Sequence, residues 1–332
     1  MRCLRKHRIR LIAANVLTIA VLTSCGGGGE QPKPLRIGVN LWPGYEHIYV
    51  AEHEGLFDAA GIEVDLVEFA SLSDGVRAFA WGDLDGFAGT VAEYHAAYVA
   101  GGVAEPVIAA GLDYSNGADV ILGGSGIASM SDLKGRSVGV ERGPLGEMFV
   151  SIAMQSVGLT IDDVRLVVGD SRALPGMLER GEVDAVQTYS PFSAELLSKG
   201  LKPVFSSADA PGAILDVLVV DRQVLKQRHG DLEKFLRVLD DSLGLFESEP
   251  DLAVAVAAHH ESLSAAEFLI ALDGVELLRV GDSIKLLDDG TFQAACDLVA
   301  LVLGEPEQSS SIDPRGCVDR SVLDAVSVSG EA

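Results

Sequence analysis

Gly82-Asp-Leu-Asp-Gly-Phe-Ala-Gly-Thr90 and Gly181-Glu-Val-Asp-Ala-Val-Gln-Thr-Tyr189 are the two stretches that decide the fold. Each is a Gly-acid-apolar-Asp turn that runs into a short apolar segment, with Asp85 and Asp184 in matching places. The residues ahead of each turn repeat as well. Leu35 to Leu41 reads as a strand, Pro43-Gly44 as a turn into a helix reaching about Phe57, and Ile62 to Phe69 as a second strand. Ser71 to Asp74 then open a helix to Trp81, because small hydroxyl and acidic side chains satisfy free helix N–H groups. In the second copy Arg136 to Val140 is the strand, Gly143-Pro144 opens a helix to about Val157, Val164 to Val168 is the next strand, and Ser171 opens another helix. Strand-to-strand spacing is 25 residues from Ile37 to Ile62 and 26 from Val138 to Val164. Order, spacing and turn together predict two similar βαβ lobes.

Each lobe is then expected to hold a mainly parallel sheet with helices on both faces. Ligands of such sheets meet the loops at the carboxyl ends of the strands, where helix N-termini also point. Two lobes that face each other with those edges make a cleft. The predicted boundaries are lobe 1 at 35–114 and 214–304, lobe 2 at 118–208, and a two-crossing hinge at 115–117 and 209–213. Asp113 and Asn116 read as hinge residues, since Asp, Asn and Gly form turns readily. Ile214 to Val220 is a returning strand, Asp231 to Phe246 an amphipathic helix, Leu252 to Ala258 and Ala265 to Leu272 shorter helices, and Phe292 to Leu303 a last apolar helix. From Glu305 the periodicity stops, which leaves 305–332 as a C-terminal tail.

The first residues speak to compartment. Arg2, Arg5, Lys6, Arg8 and Arg10 precede an apolar run from Leu11 to Leu22, a basic region and core of signal-peptide type. Twelve helical residues rise only about 18 Å, too little to cross the roughly 30 Å hydrocarbon layer. Leu22-Thr-Ser-Cys25 resembles the lipobox of bacterial lipoproteins, which implies a signal peptide at 1–24, cleavage before Cys25, and acylation there that anchors the chain to a membrane. Gly26 to Pro34 completes a flexible tether at 25–34. Residues 1–24 hold five basic side chains and no acidic ones, so their loss takes the formal charge from −24 to −29. Such a surface repels nucleic acid, and no nucleic-acid partner is expected. Cys296 and Cys317 remain in an oxidising compartment; a disulfide that pins the tail is the preferred reading over two free thiols.

Several longer motifs carry a family resemblance: Arg36-Ile-Gly-Val-Asn-Leu-Trp-Pro-Gly-Tyr45, Ala51-Glu-His-Glu-Gly-Leu-Phe57, Gly61-Ile-Glu-Val64, Asp113-Tyr-Ser-Asn-Gly-Ala-Asp119, Asp132-Leu-Lys-Gly-Arg-Ser-Val-Gly-Val140 and Asp184-Ala-Val-Gln-Thr-Tyr-Ser-Pro191. From Leu35 to about Leu278 the chain resembles the substrate-binding proteins of nitrate, sulfonate, taurine and bicarbonate importers, with relatives that bind thiamine-pyrimidine precursors. The resemblance implies an α/β periplasmic-binding-protein fold, type II-like, capture without chemistry, and an ABC permease with its ATPase as partners. It implies no cofactor. The chain itself lacks a Gly-x-x-x-x-Gly-Lys-Ser/Thr phosphate loop, and Gly123-Gly-Ser-Gly126 has the wrong spacing for a hydrolase nucleophile elbow. A sensor that reports to a membrane signalling protein would need the same cleft.

Candidate ligand contacts follow from the strand ends. Trp42 and Tyr45 sit in the loop after the first strand, where flat rings can cover a planar ligand or a cation. Ser71, Ser73 and Thr90 occupy the next two strand-to-helix loops, as helix caps or as ligand donors. The second lobe offers Arg142, the amides of Gly143 and Leu145, Arg172 beside Ser171, and Thr188 with Tyr189. Asp216 is a carboxylate in an otherwise apolar strand and needs a donor partner. Arg142 and Arg172 favour a small oxyanion or sulfonate; Trp42, Tyr45, Tyr189 and Asp216 favour an uncharged or amino-bearing ligand, and a small polar organic nitrogen or sulfur compound is the preferred expectation. Trp81, at a helix end, is expected in the core. His47 and His53 lie six apart, off one helical face, and with His259-His260 make no metal-ligand pattern, so no metal site is predicted. The expected unit is a monomer.

Overall fold

The computed structural model describes residues 33–304 and 316–330. The first lobe runs through β1 (Leu35–Val39), α1 (Glu46–His53), α2 (Leu56–Ala59), β2 (Val64–Glu68), α3 (Leu72–Ala80), β3 (Gly86–Thr90), α4 (Val91–Ala100) and β4 (Pro106–Ser115). The second holds β5 (Val120–Gly123), β6 (Ser137–Glu141), α5 (Pro144–Gln155), β7 (Arg165–Gly169), α6 (Leu174–Glu179), β8 (Ala185–Thr188), α7 (Ala194–Ser198) and β9 (Pro203–Ser206). The chain then returns through β10 (Leu215–Asp221), α8 (Arg222–Gln227), α9 (His229–Ser248), α10 (Pro250–His260), α11 (Ala265–Leu272), β11 (Val275–Leu277), α12 (Val280–Asp288), α13 (Thr291–Leu303) and α14 (Ser321–Gly330).

The two sheets share one plan. Lobe 1 has the order β11-β4-β10-β3-β1-β2 and lobe 2 the order β7-β6-β8-β5-β9. In each, the three strands of the repeat (β1, β2 and β3 in lobe 1, β6, β7 and β8 in lobe 2) are parallel, Leu35 opposite Val64 and Ile37 opposite Gly86 in one, Ser137 opposite Arg165 and Val138 opposite Ala185 in the other. The strand beside the third is antiparallel and is the one that has just crossed from the other lobe, β10 in lobe 1 and β5 in lobe 2. The expected mainly parallel sheets are therefore mixed. Connecting helices set the parallel part; each crossing strand enters from the opposite direction and pairs antiparallel.

The duplicated turn does the same job twice. Asp85 takes the backbone N–H of Arg36 at 2.9 Å, and Asp184 takes that of Ser137 at 2.8 Å. Each aspartate thus pins the start of its repeat's first strand, β1 or β6, to the turn before the third, β3 or β8. The two crossings are stitched side by side: Ser115 and Ser207 share a hydroxyl hydrogen bond at 2.8 Å, and Ser207 accepts the N–H of Gly117 at 2.6 Å. Asn116 bonds Glu276 at 2.7 Å, which ties the first crossing to β11.

Helices form where apolar residues recur at helical spacing. On α9, Leu232, Phe235, Leu236, Leu239 and Leu243 are buried, and Phe235 stacks on Phe57 with ring centroids 5.3 Å apart. Two sequence expectations change here. Trp81, expected in the core, is 77% exposed, because the buried face of α3 is carried by Leu72, Val76 and Phe79 and ends before it. The C-terminal region is more than a tail: Val318 bridges Ile108, and α14 packs on α9 with Val322 and Leu323 fully buried. The Cys296–Cys317 disulfide joins α13 to this segment.

Candidate functional site

The loops that follow β1, β3 and β6, with the end of β8 and the start of β10, converge on one space between the lobes. Asn40, Trp42, Tyr45, Leu72, Thr90, Asp119, Leu145, Tyr189, Ile214 and Asp216 line a small cavity of about 10 Å³. The lobes touch across it. Ser73 donates from lobe 1 to the carbonyl of Arg142 at 2.7 Å, and the N–H of Leu72 donates to Glu141 at 3.3 Å. The Trp42 and Tyr189 rings meet edge to face, with centroids 5.7 Å apart.

Trp42 is held by its indole N–H, which donates to both oxygens of Asp113 at 3.1 and 3.2 Å. Gly44 makes that pairing possible, since a Cβ there would fall 2.2 Å from Asp113 Oδ2 and 2.5 Å from the indole nitrogen. The Tyr45 hydroxyl donates to Asp216, and the Tyr189 hydroxyl donates to Glu141 at 2.7 Å. At the lobe boundary Gly143 has φ 142°, and a Cβ on it would meet the Ser73 hydroxyl at 2.9 Å, so both conformation and space require glycine.

Carboxylates dominate the polar wall. β10 pairs with β4 so that Asp216 stands directly opposite Asp113, and both are buried. Glu93, Asp119 and Glu141 are buried around them. Loss of water is the first cause that raises all five above the ordinary carboxylate range, with Asp119 and Glu93 pushed up to about 7. Neighbouring carboxylates add to the rise: Asp113 acts on Asp216, and Glu141 on Asp119 and Glu93. Burial and the same acids hold the Tyr45 and Tyr189 hydroxyls well above the usual phenol value.

Of the residues singled out from sequence, Trp42, Tyr45, Thr90, Leu145, Tyr189 and Asp216 lie in the cavity wall. Thr188 is buried just before Tyr189. Ser71 caps α3 by accepting the N–H of Asp74, Thr90 caps α4 with Glu93 in return, and Ser73 bridges the lobes. Arg142 and Arg172 carry exposed side chains and do not line the cavity. Asp113 stands under Trp42 in the site as well as next to the crossing. Asn40, Glu93, Asp119 and Glu141 were not singled out. Asn40 and Glu141 close the carboxyl ends of their strands, and Glu93 completes a Thr-x-x-Glu capping box, so those signals were legible. Cys25 lies outside the described residues. Among the described residues, no group of three or more His, Cys, Asp and Glu side chains is arranged to hold a metal ion.

The fold is that of solved periplasmic binding proteins. The alkanesulfonate-binding protein SsuA of Xanthomonas axonopodis pv. citri, bound to MOPS, superposes with a TM-score of 0.67 at 18% identity, over 81% of this chain and 94% of that one. A Staphylococcus aureus ligand-binding component of an ABC-type import system gives 0.73 at 15% identity, over 89% and 99%. The desulfurization enzyme DSZB gives 0.66 at 18% identity, over 89% and 99%. By sequence, a binding protein of Brucella abortus is 22% identical over 265 residues, 78% of this chain and 81% of the relative. The family model described as NMT1/THI5 like matches residues 42–253, which runs from Trp42 of the cavity through both crossings and covers more than half of the chain. The chain belongs to the NMT1/THI5-like family.

Proposed function

We propose that this chain is the extracytoplasmic substrate-binding protein of an ABC importer, tethered through Cys25, and that it captures a small polar organic nitrogen or sulfur compound between its lobes. The observation that carries this reading is the single cavity built by strand ends of both lobes and bridged by Ser73 and Trp42 from one side and Arg142 and Tyr189 from the other. Two lobes joined by paired crossings can close on a ligand by hinge motion, which suits capture and release to a permease. The role is capture rather than catalysis, in line with the structures named as binding proteins. Although DSZB shares the fold, both cysteines among the described residues are tied in the disulfide, so the cavity offers no thiol.

A small sulfonate or oxyanion is the alternative reading, and the comparisons support it better than a nitrogen compound. It is favoured by the fold's likeness to sulfonate-binding proteins of Xanthomonas axonopodis pv. citri, Escherichia coli and Methylobacillus flagellatus. The N-termini of α3 and α5 would supply its amide donors.

A thermal-shift screen over nitrate, alkyl sulfonates, taurine, amino-pyrimidines and small amines, followed by calorimetry and small-angle scattering, tests the capture role. One ligand per chain, bound by a monomer that becomes more compact, is the expected result. A ligand whose affinity ignores Trp42→Ala would place binding elsewhere and reject the reading. For the tether, Cys25→Ser should release the protein from membranes with its affinity intact; retention after a carbonate wash would rule out the lipid anchor.

A further inference from the structure

Most polar atoms left without a protein partner at the cleft can only accept; the Thr188 and Ser171 hydroxyls, which can also donate, are the others. Asp216 Oδ2 and Asn40 Oδ1 are buried, unbonded, and belong to residues of the cavity wall. Glu93 Oε1 is also buried and unbonded, 3.6 Å from where a Cβ of Gly143 would stand across the lobe boundary. No lysine, arginine or histidine lines the cavity. Two aspartates directly opposite in a buried sheet repel when ionised, and a buried carboxylate without a donor is costly. A bound anion would add a further negative charge to this wall.

We infer that the cleft selects a ligand through an organic nitrogen cation rich in N–H donors, an ammonium or amidinium, seated against Asp216 and Glu93 with the Trp42 ring beside it and Asp113, its oxygens taken by Trp42, behind Asp216. This rests on the interlobe cleft proposed above as the capture site. Aromatic rings attract such cations, and charge-assisted N–H bonds satisfy the carboxylates that the fold leaves open. The titratable groups that face the site from the other elements are Tyr45, Asp119, Glu141 and Tyr189, with Asp170 near Glu141; none is basic. Near neutrality part of the carboxyl set holds protons, and an incoming cation displaces them. Binding should therefore release protons and tighten as pH rises from about 6 to about 8.

The test uses the mature chain in detergent with n-propylamine, N-methylguanidine and benzamidine against propanesulfonate and nitrate. Expected is a rise in Tm with at least one cation and one site per chain. Asp216→Asn and Glu93→Gln should each weaken binding by about 30-fold or more. Calorimetry in two buffers of different ionisation enthalpy should show net proton release, a signature that a merely structural role of these residues would not produce. Propanesulfonate or nitrate binding that is unchanged or tighter in Asp216→Asn would overturn the cation inference and leave capture in the cleft standing. A Tm that no cation in the panel raises would overturn it too. Binding that survives Trp42→Ala would instead reject the cleft as the capture site.

Discussion

The two lobes are near copies in backbone plan and opposites in what they bring to the cleft. Asp85 and Asp184 pin equivalent strand starts, and each third strand takes an antiparallel partner that has just crossed the hinge. At the ends of β1 and β6, however, lobe 1 supplies Asn40, Trp42 and Tyr45, whereas lobe 2 supplies Glu141, the Arg142 carbonyl, Gly143 and Leu145. The difference teaches that sheet topology decides where a ligand sits, while a few residues past each strand end decide what it is. Lobe 1 also carries α9 to α14 and the disulfide, so its share of the cleft rests on the larger scaffold.

The largest expected effect breaks the comparison at the cleft wall. The carboxylates there have folded values above their unfolded ones, as with Asp119 and Glu93 at about 7. Their contribution to stability is full below about pH 4 and is lost as pH rises through 7, so the ligand-free protein should lose Tm from pH 5 to pH 8 by about 5 °C or more. Asp216→Asn should flatten that slope, and a Tm profile that Asp216→Asn leaves unchanged would contradict the coupling. Trp42→Ala comes next: binding of the captured ligand should weaken by about 2–4 kcal/mol, measured by calorimetry, whereas Arg142→Ala in the matching loop of lobe 2 should cost less than about 1 kcal/mol.

Opening the disulfide tests the larger scaffold. Cys296 and Cys317 are 21 residues apart, and in the chain-entropy account Cys296→Ser with Cys317→Ser should lower unfolding stability by about 3 kcal/mol. The pair of pinning aspartates sharpens the comparison most directly. Asp85→Ala and Asp184→Ala should each cost about 1–3 kcal/mol in denaturant unfolding, and a gap wider than that range would show that the two turns are not equivalent. The smallest effect lies at Trp81, where Trp81→Lys on the exposed helix end should change stability by less than about 0.5 kcal/mol.

Much of this was legible before any coordinates. Periodicity, spacing and the paired Gly-acid-apolar-Asp turns depend on local chemistry, so they showed two βαβ units and placed Trp42, Tyr45 and Asp216 near strand ends or in a strand out of keeping with its neighbours. A disulfide between Cys296 and Cys317 followed from compartment and count. What stayed hidden was long-range register. No local pattern says that Asp216 on the returning strand will face Asp113, a separation of 103 residues along the chain, or that Glu93, written as a helix cap, will end beside Gly143 of the other lobe. Nor does it say that the Arg142 and Arg172 side chains will point outward. The sequence alone determined which segments become strands, turns and helices, because hydrophobic spacing and backbone capping act over a few residues. Only the tertiary structure decided the charge of the cleft, because that charge is set by which side chains share a space without water, and strand pairing across the hinge brings them there.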